Sequence, residues 1–193
     1  MSVVRAFIAV DLTTEIKDQL NQITQQLKAE MGNVSIRWVA AENIHLTLKF
    51  LGDVSLNNVR VLTDLLQAET ATLKPIVISV GQLGAFPKLR SPRVIWVGVE
   101  APLELLALQR GIAAQTARIG YASDKRKFFP HLTLGRVSRN ATPQEVRKIG
   151  DVLNSKKIGF LGVARIREVQ LYRSDLSSNG AVYTKLFTAP FGG

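Results

Sequence analysis

Apolar residues at strand and helix spacings divide this chain into elements that recur in the same order twice. Residues 3–11, Val3-Val4-Arg5-Ala6-Phe7-Ile8-Ala9-Val10-Asp11, are an apolar run that predicts a strand. Ile16, Leu20, Ile23 and Leu27 follow at helical spacing behind Thr13 and Thr14, which predicts a helix to about Lys28, ended by Gly32. Ser35–Val39 is a short extended piece carrying Trp38. A strand over Asn43–Leu51 is expected to stop at the turn pair Gly52-Asp53. Leu56–Leu73 predicts a second helix, with Val59, Leu62, Leu65 and Leu66 inward and Pro75 ending it. Ile76–Leu83 reads as a strand, and Gly84-Ala85-Phe86-Pro87 as a loop.

The second half repeats the order. Arg93–Val99 predicts a strand and Pro102 opens a helix to about Ile119. Gly120–Lys127 is a basic loop before a strand over Phe128–Gly135. Thr142-Pro143 is an N-cap and first-turn pair, and Glu145 completes a capping box for a helix to about Leu153. Ile158–Val163 and Ile166–Tyr172 predict strands, Ser174–Gly180 a polar turn, and Ala181–Thr188 the last strand.

The spacing indicates an internal duplication. Arg5 to Arg93 is 88 residues, His45 to His131 is 86, and Leu83 to Leu171 is 88. The repeat spans about 3–87 and 91–174, and with the final strand at 181–188 it makes residues 1–193 a single bilobed domain. A two-fold-like arrangement would bring the equivalent strands together.

One tetrapeptide is identical in both copies: His45-Leu46-Thr47-Leu48 and His131-Leu132-Thr133-Leu134. They hold the chain's 2 histidines. Side chains alternate on a strand, so His and Thr share one face while the leucines take the other. Each copy offers an imidazole beside a hydroxyl over an apolar underside, and a two-fold arrangement would line one groove with both pairs.

Composition narrows the chemistry. The chain has no cysteine, which excludes disulfides, thiolate nucleophiles and cysteine-ligated metal, and is compatible with a reducing cytosol; a cytoplasmic location is expected. No apolar run is long enough for a membrane span. With 25 basic and 15 acidic residues the net charge is +10, a field that attracts polyanions. Basic residues cluster at Lys88, Arg90 and Arg93, at Lys125, Arg126 and Lys127, and at Arg136 and Arg139, the last two groups flanking the second histidine.

Two facing imidazoles suit paired acid–base work, because one can accept a proton while the other donates. Phosphodiester cleavage uses such a set: one His activates water, the other protonates the departing oxygen, and the hydroxyls hold the non-bridging oxygens. Two His under-fill a zinc site, and the nearest carboxylates, Asp53 and Asp124, read as turn residues, so no metal or other cofactor is expected. Glycine fingerprints for dinucleotides or ATP and a nucleophilic serine elbow are absent. The identical motifs leave open which His donates and which accepts.

The chain resembles the 2H phosphoesterases, and within them the bacterial and archaeal RNA 2′,3′-cyclic phosphodiesterases, also called 2′-5′ RNA ligases. The resemblance covers essentially the whole chain. It is carried by Arg5-Ala6-Phe7-Ile8-Ala9, by His45-Leu46-Thr47-Leu48-Lys49-Phe50-Leu51-Gly52 and by Gly84-Ala85-Phe86-Pro87. Arg93-Val94-Ile95-Trp96, Pro130-His131-Leu132-Thr133-Leu134-Gly135-Arg136 and Leu171-Tyr172-Arg173-Ser174 complete it. It implies an α+β, bilobed, pseudo-two-fold fold, with two antiparallel sheets lining a central cleft and helices packed outside. It implies metal-independent hydrolysis of RNA 2′,3′-cyclic phosphate ends to 2′-phosphate, with His45 as proton donor, His131 as proton acceptor, and Thr47 and Thr133 gripping the phosphate.

Arg136 fits the same pattern as a phosphate ligand, but strict alternation puts it opposite His131, so the strand must end, twist or bulge to bring it into the groove. Phe7, Trp38, Phe129 and Tyr172 are candidates for base stacking, with Phe7 and Trp96 assigned to the core by default. Lys49 has the parity of His45 and Thr47 and is a candidate for the groove. The expected partner is RNA, the expected state a monomer. Rival readings are the reverse reaction, joining ends through a 2′-5′ linkage, a non-catalytic RNA- or nucleotide-binding module, and action on a small cyclic nucleotide or ADP-ribose cyclic phosphate.

Overall fold

The computed structural model describes residues 3–122, 126–177 and 180–193, with residues 176 and 177 as backbone only. Lys125 and Asp124 lie outside these, as do residues 178–179 of the expected polar turn. The elements run β1 (Val3–Val10), α1 (Thr14–Met31), β2 (Ile36–Trp38), a 3₁₀ turn (Ala41–Asn43), β3 (Leu46–Ser55) and α2 (Leu56–Thr70). Then come β4 (Ile76–Phe86), β5 (Val94–Glu100), α3 (Leu103–Arg118), β6 (His131–Val137), α4 (Pro143–Ser155), β7 (Phe160–Ile166), β8 (Glu168–Ser177) and β9 (Gly180–Pro190).

The strands pair antiparallel in the order β7-β4-β5-β6-β3-β1-β8-β9, and β2 adds to β6. The two sheets expected from the duplication are β6-β5-β4-β7 and β3-β1-β8-β9, joined edge to edge at Leu46↔Leu132. The repeat is intertwined: β4, from the first half, pairs with β5 of the second, and β8 returns to pair with β1. The helices follow suit, α1 packing with α4 and α2 with α3.

The core lies between sheet and helices. Ile8, Val10, Leu46, Leu48, Leu132 and Leu134 are at most 2% exposed there, with Leu20 and Leu27 of α1 and Leu62 and Leu66 of α2. Each fully buried side chain of this kind stabilises the fold by roughly 1.5–3 kcal/mol.

Several ends differ from the sequence expectation. β3 runs through Gly52-Asp53 instead of turning: Gly52 takes φ 73°, which suits glycine, and Asp53 pairs opposite Arg5 within the sheet. β4 continues through the expected loop to Phe86, because Gly84 pairs with Trp96 and the indole lies flat over it. A Cβ at Gly84 would fall 2.1 Å from that ring. The capping box is present: the Thr142 hydroxyl accepts from Glu145 N while the Glu145 carboxylate accepts from Thr142 N. The same carboxylate accepts from Ser35 N and Oγ, at 2.8 and 2.6 Å, tying the approach to β2 onto α4. These donors hold Glu145 well below its usual range, at about 2.

Candidate active site

His45 directly precedes β3 and His131 opens β6. With Leu46 opposite Leu132 in an antiparallel register, His45 falls across from Thr133 and Thr47 across from His131. All four then project from the face opposite the buried leucines. Neither threonine hydroxyl has a hydrogen-bond partner among the described residues.

Both motif strands break register at the second leucine. The β1–β3 pairing skips Leu48, and the β5–β6 pairing skips Leu134. The displaced carbonyls are satisfied, Leu48 O by Gln109 Nε2 and Leu134 O by Val39 N. The bulge in β6 reverses the parity beyond it and carries exposed Arg136 to the groove face, the irregularity its candidacy required. The bulge in β3 overturns the expectation for Lys49. That side chain is 2% exposed on the helix side and donates to Ala122 O, while Phe50 takes the groove face against Phe7.

Each imidazole is oriented by the segment that leads into its strand. His45 Nδ1 lies 2.7 Å from Asn43 O, and His131 Nδ1 lies 2.8 Å from Phe129 O. A carbonyl can only accept, so Nδ1 carries the hydrogen and Nε2 is the exchanging nitrogen in both rings. Burial is the chief cause holding both pKa values below 6.5, against the pull of those carbonyls. The Arg136 cation lowers both, so it lies within electrostatic reach of the two rings.

Aromatic side chains floor the groove. Phe7, 4% exposed, stacks on His45 with centroids 4.7 Å apart and on Tyr172 at 5.3 Å. Phe7 is thus buried beneath the site and not among the helix-side core residues. Trp96 likewise leaves the core to which the default assigned it: it packs with Phe86 and Phe129 at 5.2 Å, and Phe86 meets His131 edge-on at 5.0 Å. Phe129 is 52% exposed and open to a ligand. Trp38 is excluded from base stacking, because it packs on the helix side under Lys28 of α1.

Beside His45 lies a cavity of about 270 Å³ lined by Asp11, Glu42, Asn43, His45, Tyr172, Tyr183 and Lys185. Tyr172 OH donates to both Asp11 carboxylate oxygens at 2.8 Å, and Lys185 Nζ reaches Oδ2 at 3.1 Å. Burial and Asp11 raise the Tyr172 pKa, so the phenol remains a donor. Asp11, Tyr183, Lys185 and Phe86 were not singled out from sequence; the parity Phe7, Ala9, Asp11 was the available signal for Asp11. Among the described residues no three His, Cys, Asp or Glu side chains are grouped to hold a metal ion.

Two imidazoles, two hydroxyls and an arginine share one groove, a set of proton-transfer groups and donors suited to a phosphoester. Residues 10–96 match the family described as LigT like Phosphoesterase. The chain is 34% identical to an RNA 2′,3′-cyclic phosphodiesterase of Methanothermobacter thermautotrophicus, over 95% of this chain and 96% of that protein. It is 32% identical to one of Archaeoglobus fulgidus, over 94% and 97%. The crystal structure of E. coli LigT complexed with 3′-AMP aligns over all of both chains, with TM-score 0.78 and 28% identity. The chain belongs to the LigT-like family of 2H phosphoesterases.

Proposed function

We propose that this protein is an RNA 2′,3′-cyclic phosphodiesterase that opens a terminal cyclic phosphate to a 2′-phosphate without a metal. His131 Nε2 takes a proton from water, whose oxygen attacks phosphorus. The bond from phosphorus to O3′ breaks, and the proton on His45 Nε2 passes to O3′. One proton is taken and one given, so the imidazoles end with exchanged protonation states and solvent resets them. Thr47 and Thr133 donate to the non-bridging oxygens, and Arg136 offsets the phosphate charge. Both rings favour the neutral form in the free protein. An arriving phosphate anion supplies the charge that protonates one of them, while repulsion between imidazoliums and Arg136 disfavour a second proton.

One observation carries this reading: both imidazoles spend Nδ1 on a carbonyl two residues back, which leaves Nε2 of each for proton transfer. The relatives named as RNA 2′,3′-cyclic phosphodiesterases support the substrate. The reading takes residues 1–193 as one bilobed domain, acting as a cytoplasmic monomer without a cofactor; no helix among the described residues is long and apolar enough to cross a membrane. The test is to incubate the protein with an RNA oligonucleotide ending in 2′,3′-cyclic phosphate and resolve the product ends. A 2′-phosphate is expected. Unchanged RNA, or a 3′-phosphate, would overturn the proposal.

A further inference from the structure

A duplicated site with identical His-Leu-Thr-Leu motifs must take any asymmetry from its neighbours. The strand registers show where that asymmetry lies. Ala9 pairs with Thr47 and Trp96 with Thr133, so β1 and β5 are equivalent with Val10 matching Val97. The next position is Asp11 in one lobe and Gly98, directly opposite His131, in the other. Phe7 pairs with Tyr172, and its equivalent Val94 pairs with Phe86. The His45 lobe thus has a carboxylate and a phenol where the His131 lobe has a hydrogen atom and a phenyl ring.

The carboxylate is built in. Tyr172 OH donates to both its oxygens, Lys185 Nζ to one, and the side-chain oxygen of fully buried Gln170 accepts from Asp11 N. We propose that Asp11, gripped by Tyr172 and Lys185, is the positioning residue that makes His45 rather than His131 the imidazole that brings the proton into the reaction. The inference rests on the two-histidine hydrolysis proposed above.

The charges around each ring agree. At His45, Asp11 favours the imidazolium while Lys17 of α1 and Arg136 of β6 oppose it. Glu42, Tyr172, Tyr183 and Lys185 line the same cavity, and Lys17 Nζ is bound to Glu42 O. At His131 the charged group that acts, among the described residues, is Arg136, which opposes the imidazolium. His45 is the more strongly desolvated ring, which favours its neutral form. The Asn43 and Phe129 carbonyls counter burial at both rings, and among the described residues a carboxylate, that of Asp11, adds to this at His45 alone.

The chain's 2 histidines give two sets of imidazole resonances, so each can be titrated by NMR. Asp11→Asn keeps the shape and the oxygen that accepts from Tyr172. It is expected to lower the titration midpoint of His45 and leave that of His131 in place. In turnover, kcat at pH 7 should fall about tenfold, part of the roughly 10²- to 10⁴-fold that a general acid contributes, with KM little changed and the basic limb displaced to lower pH. Tyr172→Phe should move His45 in the same direction by less. A His45 that titrates as in the parent, or both imidazoles moving together, would overturn the proposal. The titration needs no substrate: a parent protein that left cyclic-phosphate RNA intact would remove the hydrolase reading, while the selective shift would still decide whether Asp11 biases His45.

Discussion

Leu46 lies opposite Leu132 at the seam of the two half-sheets, and this pair sets the site. Antiparallel register about it puts each histidine across from the other motif's threonine. The leucines, 1% and 0% exposed, anchor the underside in the helix-packed core, so the groove face is fixed by burial on the reverse side.

The threonine hydroxyls should act on the reaction and not on the fold. Thr47→Val and Thr133→Val keep the β-branched shape and remove the donor. Each is expected to lower kcat on the order of 10²-fold, as loss of one preorganised donor does. Thermal unfolding should change little, since neither hydroxyl has a protein partner among the described residues. A variant retaining parental kcat would remove that hydroxyl from the mechanism.

The pH profile should be bell-shaped, with its acid limb below the ordinary imidazole value of 6.5. Burial and Arg136 lower the His131 pKa, so the base remains neutral as pH falls through 6.5 and is lost only at lower pH. Arg136→Gln removes one of these causes, so its acid limb should move to higher pH. Measuring kcat/KM against pH for both proteins checks the sign.

Phosphate binding should also extend to Arg37. Arg37 pairs directly opposite Arg136 on the groove face, two like charges that repel until an anion lies between them. Arg37→Gln and Arg136→Gln should each weaken RNA binding and reduce the slope of log affinity against log salt by about one. Equal slopes in parent and variants would exclude contact with phosphate.

How much of this was legible beforehand depends on the interaction. Strands and helices followed the apolar periods, and the histidine–threonine pairs followed from alternation. Alternation failed where a bulge intervened: nothing in Leu48-Lys49-Phe50 announces that Gln109 of α3 will take the Leu48 carbonyl and turn Lys49 inward. The offset of 88 between Leu83 and Leu171 was two residues out, because the register makes Phe86 the equivalent of Tyr172. The Asp11–Tyr172–Lys185 cluster joins residues up to 174 positions apart and leaves no local pattern.

The intertwined repeat has a consequence for folding. Residues 1–90 alone would leave β4 without β5 and β1 without β8, exposing apolar strand edges. That fragment is expected to remain unfolded or aggregate, whereas the full chain is expected to unfold in one cooperative transition. Dispersed amide resonances from the fragment would contradict this.

Glu145 should make stability pH-dependent in acid. Its carboxyl is held at about 2 by Ser35 and Thr142, below the reference value of 4.5. The contribution is therefore complete above pH 4.5 and lost as pH falls towards 2. Glu145→Gln should remove part of that loss in urea unfolding followed against pH.

The most direct measurement compares the parent protein with His45→Ala and His131→Ala, in EDTA, on RNA ending in a 2′,3′-cyclic phosphate. The account predicts rapid 2′-phosphate formation by the parent, with kcat lowered by about 10²-fold or more in each variant and RNA binding retained. Parental activity that disappears in EDTA and returns with a divalent ion, or a variant as fast as the parent, would contradict it.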